Sequence, residues 1–394
     1  MKSSSRSEAR ERFFATSPRG LEHLLAAELS ELGAAETQPT DGGVAFSGTL
    51  ETLYRCNLGS RIASRLLWRI AAGTYRSEED LYRAARAVDW PRWFDVDRTL
   101  RVNLSAIASP LKSLEFATLR IKDAVCDRFR DRFGRRPSVD TANPDVRIHA
   151  FLTSGDYTLY LDTSGEALFK RGYREGAGEA PLRENLAAGI LRLAGWTPDL
   201  PLLDPMCGSG TFLAEAAQIA LGIAPGAGRS FGFERLHGFD AALWDRVRRE
   251  RRVASAAMPR IFGSDRDAGA VQTARRNLAN AGVADHVRLS VADVTAIAAP
   301  AEEGVLVMNP PYGVRLEAQQ DSLARFYPEL GDALKRSFAG WRAYIFTGDL
   351  RLPKLIGLAP SRRTPLYNGA IECRLYEFRL VSGPMRRKPQ QGGG

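Results

Sequence analysis

Two short runs carry groups whose types and spacing could do chemistry. One is Asp204-Pro205-Met206-Cys207-Gly208-Ser209-Gly210-Thr211, and the other, far downstream, is Asn309-Pro310-Pro311-Tyr312. An amino group on a conjugated ring is a poor nucleophile, because its lone pair is delocalised into the ring. Two acceptors, the Asn309 side-chain oxygen and the Pro310 carbonyl, could hold its hydrogens and turn that lone pair toward an electrophile. Pro310 and Pro311 stiffen the backbone, and a residue before proline is held extended. Tyr312 could stack on the flat ring. Such a site needs alignment more than a strong base, since the proton becomes acidic only once the new C–N bond has formed. The bland alternative is a proline turn after a strand, for Asn-Pro is a common turn signal.

The upstream run comes after an apolar strand candidate, Leu202-Leu203, and opens a helix. Its glycines let the backbone approach a ligand closely, and a helix N-terminus favours a carboxylate. A dinucleotide fold would want G-x-G-x-x-G, but the third position is Leu213. Alone, the run reads as a tight turn. Two acids further along the chain give it more meaning. Asp265, at the end of the next strand candidate and beside Arg266, can accept both ribose hydroxyls of a nucleoside. Asp267 is better placed as N-cap of the helix through Leu278. Asp293, with Val294 after a further strand, suits the amino group of an adenine. The expected nucleoside site is therefore Asp204, Pro205, Cys207, Gly208, Ser209, Gly210, Thr211, Asp265, Arg266, Asp293, Val294 and Asn309. Methylation of a pyrimidine ring carbon would need a cysteine nucleophile; Cys207 in the loop and Cys373 in a late strand read instead as packing residues.

These groups need elements to position them. From Pro181 onward helices and apolar strands alternate: Leu202-Leu203, Ile261 to Gly263, Val287 to Val291 and Val305 to Met308. That alternation predicts an α/β fold with a mostly parallel sheet. Gly222 to Arg260 reads as an inserted helical excursion. Before Lys170 the pattern is α+β. Strands are expected at Arg12 to Ala15, Val44 to Phe46, Ile62 to Ile70 and Leu100 to Ile107. A hairpin, Val146 to Leu152 and Tyr157 to Leu161, turns at Ser154-Gly155-Asp156. Helices are expected over Pro18 to Leu32, Leu50 to Leu58, Glu79 to Val88 and Phe116 to Phe133.

In a chain of 394 residues, 44% hydrophobic and 26% charged content is ordinary for a globular protein of two or three domains. The formal net charge of +9 favours a polyanionic partner. Arg120, Arg128, Arg132, Arg135 and Arg136 gather on one helix and the loop after it, with Asp123, Asp127 and Asp131 offsetting part of the charge. A solvated face with i,i+4 ion pairs and a phosphate-contacting surface both remain open there. Four scattered cysteines without a C-x-x-C pair argue against disulfides and zinc, and no metal is expected. No secretory pattern and no apolar run of ~20 residues stand in the chain, so a cytoplasmic protein off the membrane is expected.

With these residues in place, the chain resembles the THUMP-domain class I S-adenosylmethionine (SAM) methyltransferases that make N2-methylguanine in RNA, the bacterial 23S ribosomal RNA group above all. The resemblance rests on Arg136-Pro137-Ser138-Val139-Asp140, Pro144-Asp145-Val146, Leu161-Asp162-Thr163-Ser164-Gly165 and Arg171-Gly172-Tyr173-Arg174. It continues through Ala180-Pro181-Leu182-Arg183-Glu184-Asn185, the loop Asp204 to Thr211, Ala224-Pro225-Gly226, Asn309 to Arg315 and Asn368-Gly369. The polar ends at 1–10 and 384–394 read as disordered, and the resemblance implies a ferredoxin-like piece at 11–58, a THUMP domain at 59–165, and a Rossmann-like domain with a seven-stranded sheet at 166–383. SAM would be the cofactor, Asn309, Pro310, Pro311 and Tyr312 the acceptor site, and structured RNA the partner of a monomer. Lys170, Arg171, Arg174 and Arg315 join the helix arginines as expected RNA contacts. The second methyltransferase domain found in some relatives is expected to be absent. A transfer RNA guanine, a DNA adenine N6, a glutamine amide in protein, and a role as an RNA-binding assembly factor are the alternatives.

Overall fold

The computed structural model describes residues 9–175, 182–250, 258–311 and 315–381, apart from the side chains of 315–324. The tail expected at 384–394, and nearly all of the expected N-terminal extension, lie outside these residues. Two compact units emerge: Met1–Arg171 with Ala224–Arg251, and Gly172–Ile223 with Arg252–Gly394.

The first unit is built on one seven-stranded sheet. It opens with β1 (Glu11–Thr16), α1 (Glu22–Glu31), β2 (Ala35–Thr40), β3 (Gly43–Gly48), α2 (Leu50–Gly59) and β4 (Arg65–Thr74). These strands lie in the order β2-β3-β1-β4, all antiparallel, which is the ferredoxin-like arrangement. The chain continues through α3 (Glu78–Ala87), β5 (Leu100–Ala106), α4 (Leu114–Phe133), β6 (Val146–Leu152) and β7 (Asp156–Asp162). The sheet carries on as β4-β7-β6-β5, with β5 and β6 parallel. Alternation sets the pleat: in β6, Val146, Ile148, Ala150 and Leu152 are buried and the residues between them are half-exposed. Polar caps start the helices. Thr49 and Ser77 each accept from the backbone three residues on, and Ser113 accepts from Phe116 before Gly134, at φ 70°, closes α4 in the left-handed region.

Two expectations change here. A division at 58/59 would cut β4 from its sheet, yet β4 pairs β1 on one side and β7 on the other, so the two expected pieces share a sheet. The stretch Ala224–Arg251, expected inside a contiguous 166–383 domain, joins the first unit. Its anchor is aromatic. Phe231, Phe233, Phe239 and Trp244, the last on α7 (Ala241–Arg249), surround the buried Tyr54 or one another, with Tyr54 and Phe233 4.4 Å apart at their centroids. Strand β2 was not expected; Gln38 and Pro39 hide it, and it lies on the sheet edge, where proline is tolerated.

The second unit holds α5 (Glu184–Leu193), β8 (Leu202–Asp204), α6 (Thr211–Ala220), β9 (Ile261–Asp265), α8 (Ala268–Asn280), β10 (Val287–Val291) and β11 (Gly304–Met308). It is completed by α9 (Arg315–Ser337), β12 (Trp341–Thr347), α10 (Leu352–Leu355), β13 (Arg362–Asn368) and β14 (Ile371–Arg379). Its sheet runs β10-β9-β8-β11-β12-β14-β13, parallel from β10 to β12 and antiparallel at β14 and β13. This is the Rossmann-like, seven-stranded α/β sheet expected. Every residue of β11 is buried, as a parallel strand covered on both faces requires. One core cluster joins Leu306, Met308, Ile345 and Phe378 to Leu330 and Leu334 of α9 and to Phe338 just after it. Among the described residues no helix is long and apolar enough to cross a membrane.

Candidate functional site

In the second unit the chain leaves β8, adds β9 and β10 on one side, then returns to lay β11 and β12 on the other. The order reverses between β8 and β11, and such switch points open a crevice at the carboxyl ends of the strands. The register brings the expected residues to that edge. Asp204 pairs with Gly263, Val291 with Asp265, and Leu203 with Leu306, so the loops after all four strands leave from one end of the sheet.

The glycine loop is tied to the strand-end acid. Gly208 N–H donates to Asp265 Oδ2 at 3.0 Å, and Asp267 N–H donates to Asp265 Oδ1 at 3.0 Å. A carboxylate has about four lone-pair sites, so two remain for ribose hydroxyls. Asp267 caps α8 as expected, accepting from Gly269. Gly210, at φ 79°, closes the turn by donating to the Cys207 carbonyl; a Cβ there would stand 3.1 Å from Ala274 Cβ. Gly208, at φ 50°, has open space where a Cβ would go, which is the cradle a ligand needs.

Asp204 is buried and accepts from Met206 N–H at 3.2 Å. Burial pushes its carboxyl up to about 8, with the nearby Asp265 charge adding to the shift against the Met206 hydrogen bond. Cys207 is buried as well, and burial raises its thiol far above the ordinary range, so it carries no thiolate nucleophile. Cys373 is fully buried. Asp293 Oδ1 accepts from the Thr295 backbone N–H at 2.9 Å and from its hydroxyl at 2.7 Å, which hold the carboxyl below its usual value. Arg266 is exposed beside it. Val294 corrects an expectation: its side chain lies in the core cluster, so only its backbone can face a ligand.

Asn309 leaves β11 half-buried, and Pro310 behind it is buried. The Asn309 side-chain oxygen is buried with no hydrogen-bond partner among the described residues. A buried acceptor left unmatched costs about 1–3 kcal/mol, so such a group asks for a ligand donor. Tyr312 lies outside the described residues, as does the side chain of Arg315.

Asn277, unforeseen, holds the loop from behind. Its Nδ2 donates to the Ser209 carbonyl at 2.9 Å, and its Oδ1 accepts from Glu175 N–H at 2.9 Å. The signal was a polar residue on the apolar stripe of α8, among Val271, Ala274 and Leu278. Arg174 corrects a second expectation. It pairs with the buried Glu184 at 3.2 Å and donates to Thr211 Oγ1 at 2.8 Å, bracing the loop rather than offering a cation to phosphate.

In the first unit the expected RNA contacts are all engaged. Arg120 meets Glu79 at 2.5 Å, Arg128 and Arg132 share Asp89 at 3.4 and 3.3 Å, Arg135 meets Asp97 at 2.8 Å, and Arg136 meets Asp127 at 2.5 Å. The partners come mostly from α3 and the loops, not from i,i+4 neighbours. Lys170 pairs with Glu166, while Arg171 donates to the Leu168 and Arg61 carbonyls and so acts inside its own unit.

Comparison with known proteins places the chain among methyltransferases. The RMKL-like methyltransferase domain family matches residues 171–377, the THUMP domain 75–162 and the RlmL ferredoxin-like domain 12–67. A Synechocystis protein provisionally named an RNA methyltransferase is 41% identical over 93% of this chain and 96% of its own length. The ribosomal RNA large subunit methyltransferase K/L of Syntrophotalea carbinolica is 44% identical over 94% of this chain and 54% of its own length, so the chain spans about half of that relative. In the crystal structure of SMU.472, a provisionally named methyltransferase complexed with SAH, the match has a TM-score of 0.85 at 33% identity, covering 95% of this chain and 99% of that one.

Proposed function

This chain belongs to the RMKL-like methyltransferase domain family, and from that premise we propose that it methylates the exocyclic N2 of a guanine in structured RNA, with 23S ribosomal RNA the first substrate to try. The observation that carries the reading is the Asn309 oxygen, a buried acceptor without a partner among the described residues, at the edge where the glycine loop and the strand-end acids meet.

SAM is the cofactor, and when bound it supplies an electrophilic methyl carbon. The residues fit it: Gly208 and Gly210 would admit it closely, the start of α6 would suit its carboxylate, Asp265 would take the ribose and Asp293 the adenine amine. Asn309 Oδ1 and the Pro310 carbonyl accept the two N2 hydrogens of a base turned out of its stack. The nitrogen lone pair then points at the methyl. The nitrogen would take the methyl as the cofactor's S–C bond breaks, and one of the two protons held by Asn309 Oδ1 and the Pro310 carbonyl would then be released to solvent. Tyr312 would stack on the guanine. The bond to Asn309 strengthens as positive charge grows on nitrogen, so it favours the transition state over the ground state. A THUMP domain and the names of the relatives support RNA as the acceptor.

The test offers SAM labelled in its methyl group with three acceptors, 23S ribosomal RNA, transfer RNA and duplex DNA, and identifies the product nucleoside by mass spectrometry. N2-methylguanosine in 23S RNA is expected. Label in adenine N6 of DNA, or in transfer RNA alone, would overturn this substrate assignment.

A further inference from the structure

We infer that Arg351, aimed by Asp349, contacts a phosphate of the nucleotide whose base enters the acceptor site; the inference rests on the proposed function, in which the acceptor is RNA. The placement comes from the sheet. Strand β12 is the parallel neighbour of β11, with Met308 opposite Ile345, and paired strands lie about 4.8 Å apart. Asn309 therefore leaves β11 as Phe346 and Thr347 complete β12, and the turn from Gly348 to Arg351 departs at the same edge.

That turn is built around one carboxylate. Asp349 is 4% exposed. Its Oδ1 accepts from Arg351 N–H at 3.0 Å and from Nε at 2.9 Å, and its Oδ2 accepts from Nη2 at 2.9 Å. Its own N–H donates to Thr347 Oγ1 at 3.0 Å. The hydrogen bond from Arg351 holds the carboxyl below its usual value against the cost of burial. Tyr327 is buried against the same group: burial, with the Asp349 charge adding to it, pushes its hydroxyl up to about 12.

A guanidinium carries five N–H donors in a plane. The side-on grip of Asp349 takes Nε–H and one Nη2–H. The remaining three point from the Nη1 and Nη2 edge, and the Arg351 side chain is 45% exposed. Its head is already held by Asp349, so a phosphate can be met by two parallel bonds at reduced entropic cost. Arg374 stands opposite Thr347 in the register, paired with Glu372 at 2.5 Å, so Arg351 is the cation the turn presents. An ordinary surface ion pair would not call for a buried carboxylate fastened by three donors.

The test uses the full chain, a 23S RNA transcript and SAH. Arg351→Ala should raise KM for the RNA about tenfold while kcat changes less than about twofold. SAH affinity by calorimetry should stay the same, and the slope of log affinity for RNA against log salt should become shallower by about one. Arg351→Lys should recover the salt slope but only part of KM, since lysine restores the charge and not the fork. Asp349→Asn, a positioning change, should raise KM less than Arg351→Ala and leave the slope intact. An unchanged KM and slope in Arg351→Ala, or a loss of SAH affinity matching any rise in KM, would overturn the inference. Failure of the wild-type protein to methylate any RNA would bring down the proposed function first, and this inference with it, before any variant is compared.

Discussion

The two sheets of this molecule treat polar side chains in opposite ways. In the first unit the charged groups named above largely pair with one another, although Ser17 Oγ and Arg229 Nε are buried there without a hydrogen-bond partner among the described residues. Asp162 is buried, yet Arg65 and His149 beside it overcome the cost of burial and hold its carboxyl below the usual value. The arginines of α4 and the loop after it likewise each meet an acid. In the second unit, buried β11 offers no wet face, so polar groups gather where strands end. There Asn309 keeps an unmatched oxygen and Asp204 a raised carboxyl. A unit whose acids and arginines pair with one another behaves as a scaffold. One that leaves acceptors unmatched at a strand edge is prepared for a ligand.

The largest effect should come from removing the unmatched group. Asn309→Ala should lower kcat by about 10²–10³, the scale of losing one transition-state hydrogen-bond partner, with SAH affinity within about twofold of wild type. Thermal stability should not fall, because the oxygen has no partner to lose among the described residues. Turnover at the wild-type rate would erase the contrast between the two units, since Asn309 would then be one more turn residue.

A smaller effect should come from Asp204. Its folded-state value, about 8, lies above the ordinary 3.8, so the fold holds a proton that the unfolded chain releases. That contribution is complete below the unfolded value and is lost as pH rises through the folded one. Thermal midpoints of the ligand-free protein should therefore drift down as pH climbs toward 8. Asp204→Asn, which cannot lose the proton, should flatten that drift by a few degrees. Parallel pH profiles for the two proteins would show that Asp204 is matched after all, like its counterpart Asp162.

How legible all this was depends on how local the cause is. The ends of β8, β9 and β11 could be read because glycines, acids and prolines sit beside short apolar runs, and each signal spans few residues. Helices α2, α3 and α4 were equally open, since their apolar spacing and caps are local. Strand β2 was hidden by Gln38 and Pro39, which belong to an edge rather than to a strand core. The return of Ala224–Arg251 to the first unit could not be read, because rings far apart in the chain decide it, Tyr54 meeting Phe233 and Trp244. Arg171 and Arg174 looked like phosphate contacts because charge is visible in a sequence, whereas the Leu168 carbonyl and the buried Glu184 that engage them are not.

The smallest effect is expected from the arginines of the first unit, and it sharpens the comparison most. Arg135 is 62% exposed and already paired with Asp97, itself 72% exposed. Such a pair is worth at most about 1 kcal/mol, and the acid offsets much of the charge a phosphate would feel. Arg135→Ala should thus change affinity for a 23S RNA transcript by less than about threefold at ~0.15 M salt, and leave the salt slope nearly as steep. The reciprocal change, Asp97→Ala, frees the guanidinium and should tighten binding by a similar small factor. A tenfold loss in Arg135→Ala, with a slope shallower by about one, would mean that RNA displaces the acid. The first unit would then hold its cations in reserve under carboxylate covers, and matched groups in a scaffold could no longer be taken as idle.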